Sequence, residues 1–302
     1  MIKHFLDISD LSKKELREIL SISKKIKNKP NFFSTFLKQK SLGLLFEKKS
    51  LRTRLSFAIG MQKLGGNVIE LDSTQIGFGK RESIKDTLNV MSQYIDVLMI
   101  RNNNHKQLKQ LASLDALPII NGLSDYSHPC QILSDIFTIE QFLGKIENQV
   151  VSWMGDFNNV LNSLIQAAEI FKFKLNILVP NALGKAEKKI IKKKNLKYSI
   201  FYNDIKEGLK NSDCIMTDTW ISMGDKNIKN KKIILKKFQV NDGVMEYAKK
   251  NAIFMHCLPA HRSEEVTDSV LDGNQSVVLQ QAKNRMYVQQ GILLFLLSDV
   301  KI

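Results

Sequence analysis

Short apolar runs alternate with longer amphipathic segments from one end of the chain to the other. Nine of these runs have the length and the apolar content of buried strands, and helix-length segments such as 82–94 and 158–171 lie between them. This alternation is typical of α/β proteins, in which helices cover parallel sheets. The predicted strands are 42–47, 67–71, 96–101, 117–121, 150–155, 175–180, 198–202, 213–217 and 252–256.

The predicted strands fall into two series, and the long helical segment 128–144 separates them. A chain of 302 residues is long enough for two domains. We therefore predict two doubly wound parallel-sheet domains linked by long helices, the first over 1–140 and the second over 141–275. The last segment, 276–302, is predicted to be largely helical.

Polar side chains repeatedly follow the predicted strands. In open α/β sheets, ligands bind beyond the carboxyl ends of the strands, so we expect the functional site at these positions. The residues concerned are Ser50–Arg54, Arg101 and His128 in the first series, and Asn158, Asn159, Asp218 and the segment 256–262 in the second.

The stretch "SLRTR", residues 50–54, predicts an anion site at the start of a helix. Backbone N–H groups in the first turn of a helix lack partners within the helix, and the helix dipole is positive there. The guanidinium groups of Arg52 and Arg54, together with two hydroxyls, would supply most of the donors that a phosphate needs. A capped helix with arginines facing solvent is the structural alternative.

The second series offers groups suited to an amino acid. Paired asparagines in "GDFNNV" (155–160) provide donors and acceptors, and the carboxylate of Asp218 can hold an ammonium group. Cys257 emerges from a buried strand with His256 and His261 nearby, so a catalytic Cys–His pair is conceivable. The sequence does not favour a thiolate nucleophile over a small polar contact at this position.

Charge and cysteine content limit the function classes. The net charge is +15, but only seven of the 45 basic residues are arginines, and the lysines lie at spacings typical of solvated helix faces. A nucleic-acid-binding role stays open as an alternative. The three cysteines are widely separated and make a disulfide framework or zinc site improbable, which favours a reducing cytoplasm. No apolar stretch approaches the length of a membrane span.

Together these motifs resemble those of the aspartate/ornithine carbamoyltransferase family, and the resemblance covers the whole chain. "FEKKSLRTR" (46–54) is similar to the F-E-K-x-S-T-R-T-R phosphate motif of the family, and "HPCQ" (128–131) to its H-P-x-Q motif. "DTWISMG" (218–224) and "FMHCLPAHRSEEVTD" (254–268) are similar to segments of the members that use ornithine. The resemblance implies transfer of the carbamoyl group of carbamoyl phosphate to the side-chain amine of L-ornithine, which gives citrulline in arginine metabolism.

The resemblance also implies roles for single residues. It assigns catalytic contributions to Thr53, Arg101, His128 and Cys257, with no metal and no cofactor. The residues that it implies for carbamoyl phosphate are Ser50, Leu51, Arg52, Thr53, Gln75, Arg101, His128, Pro129, Cys130, Gln131, Cys257, Leu258 and Arg285, and those for ornithine are Asn159, Asp218, Ser222 and Met223.

At the level of architecture, the resemblance implies a homotrimer and a C-terminal helix that returns to the first domain. Two departures from the family pattern concern the phosphate site. Leu51 stands where a threonine is usual, and two extra residues separate Gln75 from Glu82. Binding at position 51 would survive the first change if that residue contributes its backbone N–H.

Three alternatives remain at this point. A related carbamoyltransferase could use putrescine or an acylated ornithine, although "DTWISMG" favours a free α-amino acid. A lysine-rich nucleic-acid binder would retain RNA or DNA in a salt-sensitive way. A catalytically silent relative kept for assembly would carry the same motifs.

Overall fold

The computed structural model describes residues 2–76, 78, 82–183, 185, 188–189, 196–221 and 228–298. The chain divides into two compact units. Unit 1 comprises residues 1–134 and 283–302, and unit 2 comprises residues 135–282.

The sheet of unit 1 has four parallel strands in the order β2-β1-β3-β4. The central strand β1 is apolar on both faces, as expected where helices cover both sides of a parallel sheet. Arg101, at the end of β3, pairs in register with Phe46, so the polar segment after β1 begins beside Arg101. The strands are β1 (Ser41–Phe46), β2 (Asn67–Leu71), β3 (Val97–Arg101) and β4 (Ile119–Leu123).

Helices of unit 1 begin at residues whose side chains cap them. Ser12 and Glu15 form a capping box at the start of α1, and Ser83 and Asn104 cap α4 and α5. The helices are α1 (Lys13–Asn28), α2 (Leu51–Lys63), α3 (Ser73–Ile76), α4 (Ile84–Met91) and α5 (His105–Ala112), followed by α6 (Pro129–Leu143), which continues into unit 2.

The sheet of unit 2 has five parallel strands in the order β7-β6-β5-β8-β9. Its strands are β5 (Val150–Met154), β6 (Lys174–Leu178), β7 (Ser199–Phe201), β8 (Cys214–Thr217) and β9 (Ile253–His256). The helices described are α7 (Asn159–Phe171), α8 (Ile205–Leu209), α9 (Ile228–Leu235), α10 (Asp242–Met245) and α11 (Asp268–Leu271), with the beginning of α12 (Val278–Leu297).

The C-terminal helix α12 packs against α1 within unit 1. A Cβ atom added at Gly291 would lie 2.3 Å from Ser23 Oγ and 2.9 Å from the carbonyl oxygen of Ile19. Only glycine permits this close approach of the two helices, and the packing agrees with the predicted return of the last helix.

The predicted fold class is confirmed. Each of the nine strands described lies within two residues of its predicted position. These strands could be predicted because each is an apolar run between polar segments. Among the residues that the structure describes, no helix is both long and apolar enough to cross a bilayer.

Candidate active site

In unit 1, the site is built around the first turn of α2. Ser50 is the N-cap residue, and its Oγ accepts a hydrogen bond from the backbone N–H of Thr53 at 3.4 Å. This cap fixes the N-terminal end of α2, which follows β1 and lies near the carboxyl end of β3. The half-buried side chain of Arg52 belongs to the same first turn. The first turn of α2 therefore has the geometry of an anion site.

The Thr53 hydroxyl is the point on which the surrounding donors converge. It is fully buried, and three donors reach its Oγ1 atom: the Ser50 hydroxyl at 3.0 Å, Arg101 Nη1 at 3.2 Å and Arg285 Nη2 at 3.0 Å. These donors come from the N-cap of α2, the end of β3 and the C-terminal helix. Two guanidinium groups and the hydroxyls of Ser50 and Thr53, gathered in one place, are well suited to a phosphate or carboxylate.

His128 lies in the same buried environment, just before α6. Its side chain is almost completely buried, and burial lowers its pKa well below the usual value. The positive charges of Arg285 and Arg101 lower that pKa further. The imidazole is therefore neutral at physiological pH and can donate one N–H to a carbonyl oxygen without carrying a charge.

The turn before His128 is fixed by hydrogen bonds in the core of unit 1. Ser124 Oγ accepts from the backbone N–H of Ser127 at 3.1 Å and lies 2.9 Å from His105 Nδ1. The other ring nitrogen of His105 is 3.0 Å from the buried carboxylate of Asp7. These buried hydrogen bonds fix the backbone of the turn that ends at His128.

The remaining residues of "HPCQ" begin α6. Pro129 is its first residue, where a missing N–H costs nothing, and Gln131 is fully buried in the same turn. The Cys130 thiol donates to the carbonyl oxygen of Asn121 at 3.4 Å, and burial raises its pKa to about 12. Cys130 is therefore an uncharged packing group in unit 1.

Two residues of the phosphate motif lie differently from the others. The Leu51 side chain is exposed, so this position offers only its backbone N–H to the first turn of α2. Arg54 points to the surface and forms an ion pair with Glu70 on β2. The expectation that both Arg52 and Arg54 contribute to the anion site is therefore wrong for Arg54, because its guanidinium already binds a carboxylate.

In unit 2, the described part of the site centres on Asp218, just beyond β8. Its Oδ2 accepts from Asn158 Nδ2 at 2.8 Å, and its Oδ1 accepts from the Cys257 thiol at 2.9 Å. Both donors are neutral, so they orient the carboxylate without cancelling its charge. Such a carboxylate is suited to an ammonium group.

Asn158 combines two contacts that link the start of α7 to Asp218. It caps α7, with Oδ1 accepting from the N–H groups of Val160 and Leu161 at 3.0 and 3.1 Å, and its amide group also orients Asp218. The resemblance singled out Asn159, which is the first residue of α7. The signal for Asn158 was its position directly before the helix, but its contact with Asp218 depends on the sheet order.

A sharp bend precedes this cap. Gly155 has a φ of +140°, and a Cβ atom there would lie 3.1 Å from Thr217 Oγ1. Glycine is thus needed for the chain to pass close to the end of β8. This close approach brings the start of α7 next to Asp218.

The conceivable Cys–His pair is not formed. The Cys257 thiol donates to Asp218, whereas the His256 ring nitrogens lie next to the backbone N–H of Leu258 and the carboxylate of Glu265. His261 is exposed and lies 3.8 Å from Glu265. The geometry therefore offers Cys257 as a hydrogen-bond donor to Asp218, and the described hydrogen bonds of the two histidines go to groups other than its thiol.

Three residues predicted to bind the substrates are not described in full by the structure. Ser222 and Met223 are not among the described residues, and neither is the side chain of Gln75. Their predicted contacts with ornithine and with phosphate stay predictions. Arg262, which lies in one of the predicted motifs, is exposed and pairs with Asp268 and Asp272 at 2.5 and 2.6 Å.

Two groups of side chains within the described ranges bring possible metal ligands together. Asp218, His256 and Cys257 form one group, and His261, Glu264 and Glu265 form the other. The atoms of the first group already hydrogen-bond one another or their neighbours, and in the second Glu264 pairs with Lys232. A metal ion at either position would have to displace these contacts.

The two family models that match the chain correspond to the two halves of this arrangement. The carbamoyl-phosphate-binding domain of the aspartate/ornithine carbamoyltransferases matches residues 3–141, and their aspartate/ornithine-binding domain matches residues 147–296. The chain belongs to the aspartate/ornithine carbamoyltransferase family. It is therefore an enzyme that transfers a carbamoyl group.

Individual relatives of this family match over nearly their whole length. The ornithine carbamoyltransferase of Rhodopseudomonas palustris is 46% identical over 305 residues, which cover 99% of this chain and 98% of the relative. The solved ornithine carbamoyltransferase of Pyrococcus furiosus is 36% identical with a TM-score of 0.91, over 99% of this chain and 98% of that one. The anabolic enzyme of Campylobacter jejuni is 34% identical with a TM-score of 0.89, over 98% and 99%.

Proposed function

We propose that this carbamoyltransferase uses L-ornithine as the acceptor and produces L-citrulline and phosphate. The observation that carries the proposal is the convergence of Ser50, Arg101 and Arg285 on the buried Thr53 hydroxyl. The nearly full-length similarity to enzymes named ornithine carbamoyltransferase supports the choice of acceptor.

Unit 1 binds carbamoyl phosphate in this proposal. The phosphate lies at the first turn of α2, where the Leu51 N–H and the Arg52 guanidinium join the donors around Thr53. Arg101 and His128 donate to the carbonyl oxygen of the carbamoyl group. His128 does so as a neutral imidazole, because burial and the two arginines depress its pKa.

Unit 2 binds ornithine. Asp218 accepts hydrogen bonds from an ammonium group, and Asn158 and Cys257 hold the carboxylate in place. Asn159, Ser222 and Met223 contribute further contacts with the amino acid.

The reaction begins with attack of the neutral side-chain amine on the carbamoyl carbon. Negative charge develops on the carbonyl oxygen, where the Arg101 and His128 donors stabilise it. The carbonyl then reforms as the C–O bond to phosphate breaks, and the departing phosphate takes up the proton that the amine nitrogen loses. A lysine-like amine has a pKa of about 10.4, so roughly one molecule in a thousand is neutral at pH 7.4. Activity should therefore rise toward alkaline pH.

A citrulline-type assay with three acceptors tests the substrate. The carbamoylated product should form fastest with ornithine, and slowly or not at all with putrescine or N-acetylornithine. Preference for either of the last two would overturn the choice of acceptor.

A pair of matched variants tests the phosphate site. Arg52→Gln should raise the KM for carbamoyl phosphate about 10- to 100-fold, as expected for the loss of a charge-assisted hydrogen bond. Arg54→Gln removes the same charge two residues away, where it contacts Glu70, and should change this KM little. Equal effects of the two substitutions would contradict the assignment.

The active assembly in this proposal is a homotrimer. An apolar stripe on α2 supports association: Leu51, Leu55 and Ile59 recur at every fourth residue and are 68%, 51% and 40% exposed. Leu51 extends this stripe by one turn, which gives its unusual side chain a role.

Leu55→Glu should reduce the mass measured by light scattering, whereas Ile233→Glu, at an exposed apolar residue of unit 2, should not. A monomeric wild-type protein would exclude the trimer.

The proposed location is the cytoplasm, with the citrulline entering arginine metabolism. The three cysteines are all described and form no disulfide, which suits a reducing compartment. Fractionation of the native cells, with detection of the chain by antibody, tests this location.

A further inference from the structure

The turn after β9 has a backbone conformation that needs support. Leu258 has a φ of +55°, in the left-handed region that a branched side chain rarely adopts. Such a residue is retained only where its surroundings hold it in place. The same turn carries Cys257, whose thiol donates to Asp218.

The side chain of His256 holds this turn directly. Its Nδ1 accepts a hydrogen bond from the backbone N–H of Leu258 at 2.8 Å. Because Nδ1 uses its lone pair in this way, the ring proton lies on Nε2, which donates to Glu265 Oε1 at 3.2 Å. Both side chains are buried, at 1% and 0% exposure, so water does not compete for these bonds.

Glu265 binds both ends of the segment 256–261. Its Oε1 atom accepts from His256 Nε2 and also from the backbone N–H of His261, at 2.6 Å. Burial alone would raise the pKa of Glu265, but the hydrogen bonds from His256 and His261 outweigh it and lower that pKa. The group is therefore a buried carboxylate that ties residue 256 to residue 261.

The backbone of His256 is fixed from the opposite side. Its N–H donates to Gln281 Oε1 at 3.0 Å, and the amide nitrogen of Gln281 donates to Asp135 Oδ1 at 2.8 Å. All these residues belong to unit 2. The hydrogen bonds described for the His256 ring go to Leu258 and Glu265, although a ring nitrogen lies within 4.8 Å of an Asp218 oxygen. The Cys257–Leu258 turn is therefore the hydrogen-bonded route from this pair to Asp218.

We propose that His256 and Glu265 are positioning residues of this enzyme: the imidazole, oriented by the buried carboxylate, holds the Cys257–Leu258 turn and thereby places the Cys257 thiol on Asp218. The inference goes beyond the proposed function, although its kinetic readout uses that reaction. It assigns the histidine of "HCLP" a role that does not involve proton transfer.

Two polar substitutions of His256 separate this role from packing. In His256→Asn, the side-chain oxygen takes the place of Nδ1 and can still accept from the Leu258 N–H. In His256→Gln, the amide takes the place of Nε2 and can still reach Glu265, but the acceptor for Leu258 is lost. A pure packing role would favour Gln, because its volume is closer to that of histidine.

The Asn variant should retain most of the wild-type kcat/KM for ornithine. The Gln variant should lose about 10- to 100-fold, by analogy with the loss of a group that orients a metal-binding histidine. Glu265→Gln keeps an acceptor for both donors and should resemble the Asn variant, while Glu265→Leu should resemble the His256→Gln variant. Equal activity of the two His256 variants, or higher activity of Gln, would overturn the proposal.

A second measurement does not depend on catalysis. Cys257 is partly exposed, while Cys130 and Cys214 are buried, so labelling by iodoacetamide followed by mass spectrometry reports on the turn. Labelling of Cys257 should be several-fold faster in His256→Gln than in His256→Asn, because release of the turn frees the thiol from Asp218. The same rate in both would contradict the proposal. If the wild-type protein made no citrulline, the proposed function would fail, but the order of labelling rates would still test the turn.

Discussion

The candidate binding residues of the two units use opposite electrostatics. In unit 1, two guanidinium groups and the Ser50 hydroxyl converge at the Thr53 hydroxyl, and the nearby histidine is kept neutral. In unit 2, the carboxylate of Asp218 accepts hydrogen bonds from two neutral groups among the described residues, Asn158 and Cys257. Unit 1 therefore presents concentrated positive charge, and unit 2 presents an oriented negative charge.

This difference follows from the two substrates in the proposal. A phosphate has several oxygens and needs donors from several directions, which only distant segments of the chain can supply. An ammonium group needs one well-placed acceptor, which a single carboxylate can supply. Substitutions in unit 1 should therefore affect the chemical step most, and substitutions in unit 2 should mainly affect ornithine binding.

The largest effect is expected from Arg101→Gln. This substitution removes the charged donor that faces the developing oxyanion, and kcat should fall about 100- to 1,000-fold, as for the loss of one oxyanion-hole donor. Steady-state kinetics with both substrates saturating measure this change. Arg262→Gln, which removes an exposed arginine of unit 2 paired with Asp268 and Asp272, is the control and should leave kcat unchanged. A loss of less than threefold in Arg101→Gln would exclude this role.

Asp218→Asn should produce the next largest effect, mainly on ornithine binding. The amide keeps the size of the side chain but cannot form a charge-assisted bond, which is worth about 1.5–3 kcal/mol. The KM for ornithine should rise about 10- to 100-fold, and the KM for carbamoyl phosphate should change little. Glu246→Gln, at an exposed acidic residue of unit 2, is the matched control. A larger effect on carbamoyl phosphate than on ornithine would reverse the assignment.

The fold was predictable because its signals are local. Apolar runs of strand length fixed the nine strands to within two residues, and Ser50 and Asn158 stand where helix caps are expected. The capped first turn of α2, where we propose the anion site, was predictable for the same reason. These features depend on a few neighbouring residues and not on the path of the chain.

Contacts between distant segments were not predictable from spacing. Arg285 reaches Thr53 across 232 positions, and the resemblance alone indicated its involvement. Arg54 has the same residue type as Arg52 but turns to Glu70, because β2 lies beside β1. Similarly, the bond between His256 and Glu265 requires the chain to fold back after β9, which no local pattern indicates.

The pH dependence of stability tests the buried state of His128. Its pKa is lowered in the folded protein, whereas the unfolded chain should titrate near the ordinary value of about 6.5. Below that pH the unfolded state binds an additional proton, so stability falls as the pH falls, by at most about 1.4 kcal/mol per pH unit. Urea unfolding at pH 5.5 and 7.5 should show this slope, and His128→Gln should flatten it. An identical slope in the variant would mean that His128 is not the group responsible.

The smallest effect is expected from Asn158, which has two functions in unit 2 that can be separated. Asn158→Ala removes both the cap of α7 and the donor to Asp218, so the free energy of unfolding should fall by about 1 kcal/mol. The serine in Asn158→Ser can still cap the helix but is too short to orient Asp218. Both variants should raise the KM for ornithine by a similar factor, smaller than that of Asp218→Asn, while only the alanine variant loses stability in urea titrations. If Asn158→Ser had the KM for ornithine of the wild-type protein as well as its stability, the contact between Asn158 and Asp218 would have no part in ornithine binding. The carboxylate of Asp218 would then need no orientation by Asn158.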